Sequence, residues 1–110
     1  MKLKELAQKC HANASKKGFW DFADRTEVEK VCEKLLLVHC EISEAVEVLR
    51  AEDDVEHPEF QEELADVMIR MLDLIGYLES AENDHVDLEE VIDWKMKKNA
   101  KRPRKHGKAF

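Results

Sequence analysis

Glycine and proline are scarce in this chain, and their scarcity constrains the fold more than any other feature. The 110 residues include three glycines and two prolines. A β-sandwich or barrel needs a turn roughly every ten residues and usually builds its turns with these two residue types. Because apolar residues make up 44% of the chain, there is enough material for a core. The sequence therefore predicts one all-α domain over residues 1–110, built from a few long helices.

Four segments have the apolar periodicity of amphipathic helices. They begin near residues 3, 27, 59 and 88, and the first three end near residues 17, 51 and 78. Capping boxes precede the second and fourth segments, formed by Thr26 with Glu29 and by Asp87 with Glu90. A basic tail follows at about residues 100–110. We therefore expect a bundle of four helices.

Apolar residues mark the face that each helix should bury. On the third helix they are Phe60, Leu64, Val67, Met68, Met71, Leu72 and Ile75, and on the fourth Leu88, Val91, Ile92 and Met96. Phe19, Trp20 and Phe22 lie in the first connection and should either pack on the core or line a pocket.

The second helix has apolar residues on two sides. The larger stripe contains Val28, Val31, Cys32, Leu35, Ile42, Ala45, Val46 and Leu49. Leu37 and Val48 lie on the opposite side, flanked by Glu41 and Glu44. A helix that is apolar on both sides is covered on both sides. Since one short chain has few helices for this task, we expect a partner subunit, with Val48 near the interface.

Charge is distributed unevenly along the chain. Residues 1–94 carry a net charge of −15, whereas residues 95–110 carry +8. Residues 41–66 alone contain eleven carboxylates and one arginine, a density that repels itself unless solvent, salt or a cation neutralises it. The acidic body argues against nucleic acid as a partner, although the tail alone is typical of a nucleic-acid arm. Alternatively, the tail brings positive charge to a small anionic substrate.

Hydropathy and cysteine content predict the location of the protein. No apolar run approaches the roughly 18 residues of a membrane span, and the first residues lack the apolar centre of a signal peptide. The three cysteines include no CxxC pair and are expected to be free thiols. We therefore expect a cytoplasmic protein that has no membrane partner.

Two pairs of carboxylates are the sharpest functional signal. Glu41 and Glu44 lie one helical turn apart, and Glu63 and Asp66 repeat the spacing on the next long helix. If the two helices pack antiparallel, all four groups can converge. Hard oxygen donors suit Mg²⁺ or Mn²⁺. The alternative is a solvated acidic face.

The segments around these pairs resemble a known family. LVHCEISEAVE at residues 37–47 and EELADVMIR at residues 62–70 are similar to the ExxE…ExxD signature of the MazG-like, all-α nucleoside triphosphate pyrophosphohydrolases. KMKKNAKRP at residues 95–103 and RKHG at 104–107 are similar to the family's C-terminal segment. The resemblance implies a four-helix MazG-like bundle completed by dimerisation, in some members as a dimer of dimers. It also implies an enzyme that hydrolyses a (deoxy)nucleoside triphosphate to the monophosphate and pyrophosphate, as nucleotide-pool housekeeping.

By the same resemblance, the four carboxylates Glu41, Glu44, Glu63 and Asp66 are metal ligands for Mg²⁺, with Mn²⁺ as a substitute. Phosphoryl and nucleotidyl transfer depends mainly on charge stabilisation by such ions. Either Glu41 or Glu44 is the catalytic residue that orients or deprotonates the attacking water at the α-phosphorus.

Three polar residues near the C-terminus are expected to bind substrate. Lys95 and Asn99 are four residues apart and share a helix face. The family's matching residues hold the triphosphate and sugar, and Arg102 is a further phosphate ligand. The alternative is an exposed helix end.

Three further residues are expected to bind substrate from the other helices and the first connection. Arg70 occupies a position where some members have a substrate-contacting tyrosine, so it either contacts phosphate or pairs with Asp73. Related members use a His and a Trp with the nine-residue spacing of His11 and Trp20 near the base. The alternatives are a surface position for His11 and core packing for Trp20.

Two other classes of protein remain open. The chain could be a non-enzymatic helical dimer that acts as a regulatory or interaction module, with its acid pairs solvated. A di-iron carboxylate bundle needs Glu-x-x-His motifs on core helices. The one such motif here, Glu82 with His85, lies in a polar connection, which disfavours this class.

Overall fold

The computed structural model describes residues 2–21 and 24–110, and all the regular secondary structure of these residues is helical. It forms α1 (Leu3–Lys16), α2 (Glu27–Glu52), α3 (Pro58–Glu79), α4 (Leu88–Ala100) and a short 3₁₀ helix (Arg104–Gly107). The prediction of an all-α chain with four helices is confirmed. Phe22, expected in the first connection, lies outside the described residues.

Side-chain caps start two of the helices where the sequence places them. The Thr26 hydroxyl accepts a hydrogen bond from the backbone N–H of Glu29 at 3.2 Å. The Asp87 carboxylate accepts one from the N–H of Glu90 at 3.3 Å. Each cap satisfies an N–H that has no partner within its own helix. These local signals explain why the predicted and observed helix starts agree closely.

Gly18 ends α1 and redirects the chain. Its φ of +83° lies in the left-handed region, which costs glycine little. The N–H of Gly18 bonds to the carbonyl of Ser15, and the N–H of Phe19 bonds to that of Ala14, which is the Schellman arrangement. Phe19 and Trp20 consequently follow α1 at once.

Helix α3 is the centre of the fold, because α1 and α2 both pack along it. A small core forms between α1 and α3 from the buried side chains of Ala7, Leu72 and Ile75. Leu3, Cys10 and Leu88 pack against this core. The backbone N–H of Leu88 donates to the Glu79 carboxylate at 2.9 Å, which ties the start of α4 to the end of α3. Beyond that point α4 packs little on the other helices.

The side of α2 that packs within the chain is the one with fewer apolar residues. Glu41 and Val48, each 8% exposed, are buried on this side. Val48 is therefore covered within the chain, where it lines a cavity together with Glu59 and Glu63 of α3, and its place near an interface between subunits stays a prediction. The opposite stripe remains open, with Ile42 45% exposed. Helix α3 covers the acidic side of α2, where its Arg70 pairs with Glu41.

The expected core faces of α3 and α4 are only partly buried. Leu72 and Ile75 are buried as predicted, together with Leu74, which was not predicted. Several residues of both expected faces remain exposed in the single chain, namely Leu64, Met68, Met71, Val91, Ile92 and Met96. Burial is concentrated in the C-terminal half of α3, where Ala7 and His11 of α1 pack against it.

Within the described part of the chain, no helix has the combination of length and apolar character needed to cross a membrane.

Gly76 allows α1 to approach α3 closely. A Cβ built at this position would lie 2.7 Å from the Cβ of His11 and closer still to the carbonyl oxygen of Ala7. Gly76→Ala should therefore force the two helices apart and lower the free energy of unfolding by about 1–3 kcal/mol, as overpacking does. Urea denaturation measures this. Ala65→Ser, on the exposed side of the same helix, is the control and should change stability by less than about 0.5 kcal/mol.

Candidate metal centre and adjoining cavity

Three carboxylates from α2 and α3 converge where the two helices face each other. One oxygen from each of Glu41, Glu44 and Glu63 lies within 4.8 Å of the other two. The spacing of three residues places the first two on one side of α2, and packing against α3 adds the third. Asp66 lies outside this group of three, but it lines the adjoining cavity together with Glu41. We call Glu41, Glu44 and Glu63 the carboxylate cluster.

Arg70 neutralises one member of the cluster. Its Nε donates to Oε1 of Glu41 at 2.6 Å, and both side chains are partly or wholly buried. The hydrogen bond from Arg70 lowers the pKa of Glu41, against the opposing effect of burial. The expectation that Arg70 pairs with Asp73 is wrong, because Asp73 has other partners.

The remaining negative charge of the cluster is poorly compensated. Hydrogen bonding to Glu41 and the negative charge of Glu41 raise the pKa of Glu44, with a further contribution from Glu63. Oε2 of Glu63 is buried and has no hydrogen-bond partner among the described residues. Hard oxygen donors with unsatisfied lone pairs and mutual repulsion are what a divalent cation such as Mg²⁺ requires. The residues present therefore fit such an ion.

A cavity of about 380 Å³ adjoins the cluster. Its polar walls include Glu41, Asp66, Arg70 and Asp73, and its apolar walls include Cys10, Ala14, Phe19 and Ile69. Small-molecule sites in proteins typically enclose about 300–1,000 Å³ and combine apolar walls with a few polar groups. This cavity has the size and lining of such a site.

A second cavity, of about 400 Å³, lies on the other side of the cluster. Its lining is dominated by five carboxylates, Glu44, Glu47, Glu52, Glu59 and Glu63. The carboxylate cluster thus lies between the first cavity, whose walls are partly polar and partly apolar, and this acidic cavity. A cation or a cationic segment of another molecule would be attracted to this acidic cavity, whereas an anion would be repelled.

His11 and Trp20, both expected near the base of the substrate, lie side by side. Their ring N–H groups both point to Asp73. The Nδ1 of His11 lies 2.9 Å from Oδ1 of Asp73, and Nε1 of Trp20 donates to the same oxygen at 2.8 Å. Because a carboxylate oxygen only accepts, His11 carries its proton on Nδ1. The rings of His11 and Trp20 line a third cavity, of about 410 Å³, together with Tyr77.

The Trp20 indole is held firmly by its neighbours. Tyr77 stacks on it with ring centroids 4.3 Å apart and an interplanar angle of 8°. The Lys34 ammonium lies over the indole, 4.6 Å from its centroid. These contacts occupy the ring surface on which a base would otherwise stack.

Lys34 is a component of the site that sequence reasoning missed. It is 5% exposed and donates a short hydrogen bond to the carbonyl of Phe19. Burial lowers the pKa of its ammonium, and the nearby carboxylates of Asp73 and Glu33 partly oppose this effect. A signal was available: Lys34 lies seven residues before Glu41, and therefore two turns away on the same side of α2.

The predicted substrate ligands near the C-terminus do not reach the cluster within one chain. Among residues 2–21 and 24–110, no hydrogen bond or ion pair joins Lys95, Asn99 or Arg102 to its carboxylates, and none of the three lines the adjoining cavity. Lys95 and Arg102 are exposed. The amide oxygen of Asn99 is buried without a hydrogen-bond partner in the described part of the chain.

The described residues thus combine an all-helical fold with a carboxylate cluster beside a cavity of about 380 Å³. The model of the MazG nucleotide pyrophosphohydrolase domain matches residues 33–106, about two thirds of the chain. The chain therefore belongs to the MazG family, whose domain indicates nucleotide pyrophosphohydrolase activity and is typically metal-dependent. Neither a curated protein nor a solved structure matches it.

The raised pKa of Glu44 predicts how the cluster affects stability. A raised pKa means that the folded state holds this proton more tightly than the unfolded chain, so the ionised group opposes folding above that pKa. Glu44→Gln should therefore raise the melting temperature without metal at neutral pH, and its advantage should shrink as the pH falls towards the pKa of Glu44. Differential scanning fluorimetry across this pH range measures the effect.

The same variant should lose most of the stabilisation that Mg²⁺ gives the wild type by mass action. Glu62→Gln is the matched control, because Glu62 is exposed and lies outside the cluster. If Mg²⁺ raises the melting temperature of the wild type and of Glu44→Gln equally, the ion binds at a site other than the cluster.

Proposed function

We propose that this protein hydrolyses a (deoxy)nucleoside triphosphate to the monophosphate and pyrophosphate in the presence of Mg²⁺, with Mn²⁺ as a substitute. The observation that carries the proposal is the meeting of Glu41, Glu44 and Glu63 beside a cavity that Glu41 and Arg70 line. Membership of the MazG family supports the same reaction class. The biological role proposed is housekeeping of the nucleotide pool in the cytoplasm.

Each part of the site has a role in this reaction. The carboxylate cluster and Asp66 would hold the ion, which when bound supplies positive charge to the phosphate oxygens. Glu41 or Glu44 orients a water molecule towards the α-phosphorus and takes its proton. The new bond from water to the α-phosphorus forms as the bond to the bridging oxygen breaks, and pyrophosphate leaves. Arg70, which is bonded to Glu41 in the structure, can instead donate its hydrogen bond to a phosphate oxygen of the bound nucleotide.

The test is a screen of purified protein with Mg²⁺ against canonical and modified NTPs and dNTPs, with pyrophosphate release as the readout. Glu44→Ala and Asp66→Ala should each remove most activity while leaving the helical content unchanged, because both side chains are exposed. Glu62→Ala should retain full activity. If no triphosphate is hydrolysed and Mg²⁺ does not raise the melting temperature, the protein is better described as a helical interaction module.

We also propose a homodimer, or a dimer of dimers, as the working assembly. Large apolar side chains are exposed on α2, α3 and α4, among them Leu36 (64%), Met68 (55%) and Trp94 (58%). Exposed apolar area on this scale is typical of a surface that another subunit covers. The basic tail of a second chain would also complement the acidic cavity beside Glu44.

In this assembly, Lys95, Asn99 and Arg102 contact the triphosphate bound to the partner. Lys95→Ala should reduce kcat/KM at least tenfold, about 1.4 kcal/mol of transition-state stabilisation. Its melting temperature should stay within a few degrees of the wild type, because Lys95 is exposed. Steady-state pyrophosphate release and fluorimetry measure these two effects.

Mixing variants tests whether the tail acts across the interface. A heterodimer of Lys95→Ala and Glu44→Ala subunits would contain one site with both side chains intact if the tail serves the partner. Activity should then partly return on mixing. Without recovery in heterodimers isolated by two different affinity tags, the tail does not act in trans.

A further inference from the structure

One side of α3 carries a series of polar groups that extends away from the carboxylate cluster. Glu63, Asp66, Arg70 and Asp73 follow each other at intervals of three or four residues, so they lie on one side of the helix. With a rise of 1.5 Å per residue, Asp66 and Asp73 are about 10 Å apart along the axis. Both line the 380 Å³ cavity, with Arg70 between them. A nucleotide whose phosphates lie near Asp66 would therefore place its nucleoside near Asp73.

Asp73 has one saturated oxygen and one open oxygen. It is 6% exposed, and its Oδ1 is bonded to both Nδ1 of His11 and Nε1 of Trp20. Within residues 2–21 and 24–110, no group donates a hydrogen bond to Oδ2. Oδ2 is also absent from the buried polar atoms that lack a partner, so it retains access to solvent or to a ligand. The carboxylate thus offers one acceptor in the wall of the cavity.

The two donors to Asp73 prevent it from turning away. Trp20 is stacked on Tyr77 and covered by the Lys34 ammonium. His11 packs edge-on against Trp20, with ring centroids 5.1 Å apart. Since both rings are fixed, the two N–H groups fix Oδ1, and the planar carboxylate fixes Oδ2. A fixed acceptor discriminates among ligands because it cannot rotate to avoid an unsuitable group.

We propose that Asp73 is the specificity-determining residue of this site and that its Oδ2 accepts a hydrogen bond from an exocyclic amino group of the base. This inference rests on the proposed function. Cytosine and adenine present an amino group where uracil and hypoxanthine present a carbonyl oxygen. A carbonyl placed there would bring two acceptors together and leave both without a donor. The enzyme should therefore prefer amino bases to their keto counterparts.

On this proposal, His11 and Trp20 are positioning residues that act through Asp73. Their N–H groups are already committed to Oδ1, so neither needs to touch the base. The apolar walls formed by Phe19 and Ile69 would contact the ring.

Two substrate pairs differ mainly at the group in question, namely dCTP with dUTP and dATP with dITP. Pyrophosphate release with Mg²⁺ gives kcat/KM for each. The wild type will hydrolyse one of the two pairs faster, either the pyrimidines or the purines. Within that pair, kcat/KM for the amino substrate should exceed kcat/KM for the keto substrate at least tenfold. Equal values would overturn the proposal, and this comparison needs no variant. CTP and UTP are the controls for the sugar. If the preference depends on the 2′-hydroxyl and not on the base, the proposal is also overturned.

Asp73→Asn tests the residue itself. The amide oxygen can accept from His11 and Trp20 as Oδ1 does, which turns the NH₂ donor to the position of Oδ2. The ratio of amino to keto activity should then fall at least tenfold, and keto substrates should gain in absolute terms. Glu79→Gln is the control, since Glu79 is a buried carboxylate of the same helix that does not line this cavity. Equal losses for all substrates in Asp73→Asn would mean a structural role and overturn the proposal.

The outcome is separable from that of the proposed function. If the wild type hydrolyses no triphosphate, the proposed function fails, and the same pairs are compared by the thermal shift that each nucleotide produces with Mg²⁺. Equal shifts within both pairs then overturn the role of Asp73, whereas a larger shift for the amino member that Asp73→Asn abolishes supports it.

Discussion

Repulsion between carboxylates on two packed helices is the constraint on which the rest of this structure depends. Glu41, Glu44 and Glu63 lie close together across the boundary between α2 and α3. Like charges at such distances oppose folding unless a cation is present. Arg70 provides part of that charge from within the chain, and the rest of the cluster remains suited to a metal ion. A feature that opposes folding thus also suits the site to a metal ion.

The contact between α1 and α3 prepares the other end of the cavity. Gly76 lets α1 approach closely, and this approach brings His11 within hydrogen-bond distance of Asp73. The Schellman turn at Gly18 then places Trp20 on the same carboxylate. Lys34 of α2 holds the segment through the carbonyl of Phe19. Three helices thereby cooperate to orient a single acidic side chain.

The apolar surface follows from the same constraint. Because α2 directs its acidic side towards α3, its larger apolar stripe, including Ile42 and Val46, remains exposed in the single chain. Helix α4 also leaves Ile92 and Met96 exposed while carrying the basic tail. A chain arranged in this way leaves apolar surface on α2 and α4 uncovered, and this surface is the basis of the homodimer proposed above.

The sequence by itself determined the helices and the residues of the cluster, because these depend on interactions within a few positions along the chain. Thr26 and Asp87 cap helices whose starts could be read locally, and the paired spacing of the acids was visible before any fold was known. Only the tertiary structure decided which side of α2 is buried, since periodicity reveals two apolar sides but not which one meets α3. It also decided that Arg70 pairs with Glu41, 29 residues away, and that His11 reaches Asp73 across 62 residues. Such pairings depend on how whole helices pack, and no local pattern in the sequence encodes that arrangement.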